Sequence, residues 1–274
     1  MAVTYQNTAN GEISSTGGTV TIDVGSGDNR CLFIGLSFQQ NNITVTGVTY
    51  AGSACAFHDG ENSGVNRRVE IWKKVAPSTG SNNIAVSYTG INDGIICGAT
   101  AFNGVDQTTP MGAAVKASGS STAPSVEITI TSGNFAHDVL VSGTNISSPS
   151  QTQSWSNNGS INPAGAGQRN NTSGVRTFSW TIDNTTWATV VCEILAVASA
   201  TIEQEGFRFR NDDGSEAAAT WKANQDTNIT LAADTAFRLR FLLKATGNPD
   251  SIDAQAEARV KPSGGAFGAW GKIN

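Results

Sequence analysis

Apolar and polar residues alternate with a period of two along much of the chain. The pattern runs through Thr19–Val24, Ile43–Tyr50, Val69–Trp72, Ile84–Tyr88, Val126–Ile130, Phe178–Ile182 and Phe237–Phe241. Successive side chains of a strand point to opposite faces, so each run predicts a strand with one face on a core. Four further runs are apolar on both phases: Cys31–Phe38, Ile95–Phe102, Val139–Val141 and Trp187–Val197. They predict central strands covered on both sides. Between the runs, Gly25-Ser26-Gly27-Asp28, Asp59-Gly60, Asp93-Gly94, Asn158-Gly159 and Asp213-Gly214 read as turns. No stretch has a helical period beyond two turns, and Glu216–Asn224 reads as a loop or a single helical turn. The expected fold class is therefore all-β, and the regular spacing of turns points to sandwiches.

Charge distribution divides this pattern in two. Only 14% of the 274 residues are charged, against about 25% in an ordinary globular protein. Nineteen of those charges fall in residues 200–274, which marks a boundary near Ser199-Ala200-Thr201. Residues 1–199 have room for roughly ten to fourteen strands, which fits a jelly-roll-like double sheet. Residues 200–274 fit a small immunoglobulin- or fibronectin-like sandwich of roughly five to seven strands.

A net charge of −5 leaves no basic excess to neutralise phosphates, so neither nucleic acid nor an anionic membrane is an expected partner. Met1–Asn10 is polar and lacks the basic and apolar regions of a signal peptide, so folding in a cytosol is expected. Cys31, Cys55, Cys97 and Cys192 form no CxxC pair and sit in or beside apolar runs. They read as buried reduced thiols. With His58 and His137 the only histidines, a zinc site has few ligands, and no metal or cofactor is expected.

Catalytic patterns are missing. No Gly-x-Ser-x-Gly elbow, GxxxxGK[ST] loop or extended GxGxxG occurs. Most acidic residues (Asp28, Asp59, Asp93, Asp183, Asp212, Asp213) stand beside turn formers and read as solvated. Glu70 and Glu127 lie on the polar phase of strands and read as solvent-facing. Asn211-Asp212-Asp213-Gly214, with Asp226 beyond it, reads as an Asx-rich turn, with a bound cation as the alternative. A non-enzymatic protein is expected.

Binding patterns are more informative. Phe207-Arg208-Phe209-Arg210 and Phe237-Arg238-Leu239-Arg240-Phe241 alternate strictly. If these strands are neighbours, Phe207, Phe209, Phe237, Leu239 and Phe241 face a core, while Arg208, Arg210, Arg238 and Arg240 share the opposite face. Such a basic patch suits carboxylate-rich partners; a solvated face paired with local acids is the alternative. Of the six tryptophans, Trp72, Trp180 and Trp187 lie in strands and read as core. Trp155 and Trp270 lie in Asn- or Gly-rich contexts and are candidates for an exposed contact. Ser147–Gly174, poor in apolar residues, reads as a mobile loop or an arm reaching a neighbouring subunit.

Two segments carry a resemblance. Gly98–Pro110 (GATAFNGVDQTTP) resembles a stretch recurrent in β-sandwich virion proteins of tailed bacteriophages. Glu205–Glu216 (EGFRFRNDDGSE), followed by Ala219-Thr220-Trp221, resembles the opening of small modules in related phage and prophage proteins. The resemblance implies a virion structural protein, assembled in the host bacterial cytoplasm and often trimeric or of higher symmetry. Its partners would be the major capsid protein or other virion proteins. Capsid decoration or cementing is one expected role; a tail or fibre module that binds host-surface glycan is the other.

Overall fold

The computed structural model describes residues 2–14, 18–39, 43–90, 94–158, 164–198, 201–215, 218–230, 232, 235–246, 257–258 and 271–272. Every regular element among them is a strand, and the pairings between strands are antiparallel. The chain divides into two compact units, Met1–Val197 and Ala198–Asn274.

Unit one begins with β1 (Thr4–Ile13), β2 (Thr19–Asp23), β3 (Cys31–Phe38), β4 (Ile43–Tyr50) and β5 (Ser53–Ala54). It continues with β6 (Ala56–Asn62), β7 (Arg68–Val75), β8 (Ser81–Gly90) and β9 (Ile95–Asn103). These nine form a five-stranded sheet, β1-β9-β3-β7-β6, and a four-stranded sheet, β2-β8-β4-β5. Then follow β10 (Val115–Ser121), β11 (Ser125–Ile130), β12 (Phe135–Ser142) and β13 (Thr152–Asn157). β14 (Ala164–Asn170), β15 (Gly174–Ser179) and β16 (Thr185–Ile194) complete the unit. They form a second five-stranded sheet, β10-β16-β12-β14-β13, and a pair, β11-β15.

The side-chain parity of β3 shows how the layers stack. Leu32, Ile34, Leu36 and Phe38 enter the core shared with β2, β4 and β8. Cys31 and Phe33 enter a different core, shared with Val139, Val141, Val190 and Ile194 of the second five-stranded sheet. β9 divides the same way, with Cys97, Ala99 and Ala101 on one side and Ile96 and Phe102 on the other. β12 and β16 are again double-faced, with Leu140, Trp187 and Val191 turned outward onto smaller clusters. The two five-stranded sheets are thus the inner layers, which is why their central strands carry apolar residues on both phases. A single double-sheet sandwich was expected; among the described residues the unit instead holds two sandwiches and sixteen strands.

The sandwiches correspond to one another. β1-β9-β3-β7-β6 maps onto β10-β16-β12-β14-β13 in both sheet order and chain order, and β2-β8 maps onto β11-β15. Val20 and Ile22, paired with Ile84 and Asn82, occupy the places of Val126 and Ile128, paired with Phe178 and Arg176. The packing between them is reciprocal: β6 lies against β16 as β13 lies against β9, and β3 against β14 as β12 against β7. This is the pattern of a two-fold, self-complementary interface, here closed within one chain. Among the described residues the second sandwich has no strands equivalent to β4 and β5. Ile146, from the β12–β13 connection, fills part of that space with Trp180 and Ile182.

Several expectations change. Ser147–Gly174 contains β13 and β14, not a free loop or arm; its small residues Ala164, Gly165, Ala166 and Gly167 are buried because the facing sheet approaches closely. Asp59-Gly60 lies inside β6, where the register shifts between Phe57 and Asp59. Glu70 is only 6% exposed, because Arg68 and Trp72 flank it on the same face of β7. The cysteine expectation, by contrast, stands: all four are buried and free. Burial pushes the Cys31 and Cys97 thiols up to about 12.

Unit two holds β17 (Thr201–Asn211) and β18 (Phe237–Thr246), paired as a long ribbon, with β19 (Glu257–Ala258) and β20 (Gly271–Lys272) as a second pair.

Candidate functional site

The ribbon register places Arg208 opposite Arg240 and Arg210 opposite Arg238, so the four arginines do share a face. Like charges directly opposite each other repel. Trp221 relieves the repulsion: its ring lies 4.1 Å from the Arg208 guanidinium carbon and 4.7 Å from that of Arg210. Such cation–aromatic contacts contribute roughly 0.5–2 kcal/mol each. Arg208 also donates to the Ala223 carbonyl at 3.0 Å, and Arg238 pairs with Asp212 at 2.7 Å. Arg210 is buried, at 3% exposure, with its guanidinium on the Ala219 carbonyl. The expected outward patch is therefore half internal scaffold: sequence alternation sets the face, but not that Ala219–Trp221 folds over it.

The opposite face does not close a core among the described residues. Phe207 and Phe209 are half-buried and in edge-to-face contact. Phe237, Phe241 and Leu243 are between 40% and 50% exposed. The acidic residues of this unit act as local ties. Asp213 accepts from the Thr220 amide and hydroxyl, which lowers its pKa, and Asp226 accepts from the Phe207 amide at 2.8 Å. Among the described residues no cluster of metal-ligating side chains converges.

Trp155 is not an exposed contact. It is 2% exposed and sits between the two inner sheets of unit one. Gly35 and Gly98 of the first sandwich and Gly167 of the second form its slot. A Cβ on Gly98 would lie 2.0 Å from Cε2 of the indole, and one on Gly167 2.7 Å from Nε1. The polar residues around Trp155 in sequence hid this, because the partners that bury it are distant glycines. Trp270 lies outside the described residues.

The two histidines and the acid next to one of them are structural ties. His137 is enclosed between Phe33 and Phe102, contacts Asp138 O through Nδ1 at 2.7 Å and Thr100 Oγ1 through Nε2 at 3.0 Å, and burial pushes its pKa down to about 3. Asp138 points to the other side of β12 and accepts from the Gln168 amide, Gln168 Nε2 and Trp180 Nε1. Burial raises its carboxyl to about 7 against the lowering effect of those donors. His58 lies between the Gly112 carbonyl and Lys73, and burial lowers its pKa.

Sequence reasoning missed one feature. An open cleft of about 450 Å³ lies where β4 faces the β6–β7 pair, lined by Val45, Phe57, Arg68, Glu70 and Trp72 among others. Arg68, Glu70 and Trp72 occupy alternate positions of β7 and so share its face. Glu70 accepts from Arg68 Nε at 2.7 Å and from Trp72 Nε1 at 2.9 Å. Phe57, across the ladder from Trp72, meets it edge-to-face at 5.5 Å and is 47% exposed. The R-x-E-x-W alternation was the available signal. Comparisons with protein-family models, curated proteins and solved structures find no match to this chain.

Proposed function

We propose that the protein is a non-catalytic structural component of a tailed-bacteriophage particle, which binds the major capsid protein as a decoration or cement protein and associates with copies of itself, as a trimer. The observation that carries this reading is the β17–β18 ribbon. Leu242 and Leu243 point to opposite faces of β18 and are 50% and 49% exposed. A two-stranded ribbon is marginal by itself in water, and apolar side chains on both of its faces gain most by being covered in an assembly. The resemblance of Gly98–Pro110 and Glu205–Glu216 to phage virion segments supports the same reading.

The strand order supports a finer fold. β1-β9-β3-β7 facing β2-β8-β4-β5 is the arrangement of two interleaved Greek keys, so we read the first sandwich as a jelly roll and the second as a jelly roll lacking two strands. The second unit is read as a small immunoglobulin-like sandwich, with β17–β18 as one of its hairpins. Light scattering of the purified chain, and co-sedimentation with empty phage heads at low and high salt, test the function. A trimer that pellets with heads, and a Leu242→Glu/Leu243→Glu variant that is monomeric and stays in solution, is the expected result. A monomer that fails to pellet at low salt, where charged contacts are strongest, refutes it.

A further inference from the structure

We infer that the β4/β6–β7 cleft of unit one is a binding site for a neutral saccharide. The inference is independent of the particle reading, since it concerns a different surface in a different unit.

The cleft is built and not merely left over. Phe57 is a large apolar residue that the fold leaves 47% exposed, on the edge strand of its sheet. The strand register shifts between Phe57 and Asp59, immediately beside the exposed ring. The Phe57 ring stands at 75° to that of Trp72, so a flat apolar wall and a ring edge meet at a corner. Trp72 cannot swing away, because Glu70 Oε2 holds Nε1, and Glu70 is itself held by Arg68. Binding therefore requires little ordering of the site, and preorganisation of this kind raises affinity.

The chemistry of the walls selects the ligand. Arg68 uses Nε on Glu70; among the described residues its two terminal nitrogens have no partner, and its side chain is 27% exposed. Each Glu70 oxygen accepts one hydrogen bond and can accept another. The cleft thus presents donors and acceptors side by side, with the two charges cancelling. An anionic ligand attracted by Arg68 would meet the Glu70 carboxylate. A hydrocarbon would bury the free guanidinium nitrogens without partners, at a cost of kilocalories. A pyranose meets both demands. Its C–H face lies on an aromatic wall, and its vicinal hydroxyls both donate and accept. The volume of about 450 Å³ falls within the range of small-molecule sites.

Saturation-transfer NMR on the full chain with maltotetraose, cellotetraose, chitotetraose and mannotetraose tests the proposal, with tri-galacturonate as the charged control. At least one neutral tetrasaccharide is expected to bind. Phe57→Ala is expected to weaken that binding at least tenfold without altering the circular dichroism. Thr44→Arg, on the exposed rim, blocks the cleft without touching the core and is expected to have the same effect. No transfer to any of the four, transfer to tri-galacturonate alone, or transfer unaffected by both substitutions overturns the proposal.

Discussion

The slot for Trp155 offers a sharp test of how the two sandwiches of unit one are joined. Gly98→Ala adds one methyl group, yet its carbon would lie 2.0 Å from Cε2 and 2.2 Å from Cδ2 of the indole. Neither atom belongs to a flexible end, so the sheets must separate or the ring must leave its rotamer. Overpacking of this kind costs about 1–3 kcal/mol, and the closeness of the contact places Gly98→Ala at about 3. Trp155→Ala leaves a void at the same place and costs about 3–5 kcal/mol. In the Trp155→Ala background the extra methyl group meets no indole and fills part of the void. Gly98 does not have a positive φ, so alanine brings no backbone strain there and restricts the unfolded chain. The second substitution then becomes neutral or mildly stabilising. The cycle predicts a coupling of about 3 kcal/mol. It is read from urea midpoints by far-ultraviolet circular dichroism, with the m-values compared across all four proteins. Effects that add to within about 0.5 kcal/mol would show that Trp155 does not occupy the glycine slot.

Other predictions rest on single residues. His137 has its pKa lowered from 6.5 to about 3, so the unfolded chain binds a proton in that window that the native state refuses, and stability is lost as pH falls. Asp138 is raised from 3.8 to about 7, so the native state binds the extra proton, and stability is gained as pH falls through that window. The two slopes, each roughly 1 kcal/mol per pH unit, cancel between about pH 6.5 and 4 in the wild type. Asp138→Asn should unmask a loss on acidification and His137→Gln a gain, measured as urea midpoints against pH; flat profiles in both variants refute the assignment. The cysteine thiols, buried and with pKa values pushed up, should resist iodoacetamide at neutral pH and react fully in urea, counted by mass spectrometry. Trp221→Ala removes the ring that lies over Arg208 and Arg210. It should destabilise unit two more at low than at high salt, seen in the salt dependence of its hydrogen exchange, and a salt-independent loss contradicts the cation–aromatic account.

The strands were legible because a strand's side-chain period is a property of the local chain. Cys31–Phe38 and Ile43–Tyr50 appear in the structure with the boundaries their patterning indicates, and the unbroken apolar runs announced burial on two faces. The four cysteines and Trp180 and Trp187 were likewise readable, since apolar strand context implies enclosure. Side chains whose surroundings come from elsewhere in the chain were not. Trp155 looks exposed beside Ser154 and Asn157, and only Gly35, Gly98 and Gly167 from three other strands reveal its slot. Glu70 looks solvated by phase, but Arg68 and Trp72 enclose it. The correspondence of the two sandwiches escaped the sequence because equivalent positions share polarity more than identity, as Val20 and Ile22 do with Val126 and Ile128 but Gly35 and Ser37 do not with Val139 and Val141. Residue order along the chain therefore determined that this protein is built of sheets, and which strands are central. Which faces meet, and so which polar and aromatic groups are left facing the β4/β6–β7 cleft, was decided by tertiary packing, because burial and hydrogen-bond partners depend on neighbours tens of residues away.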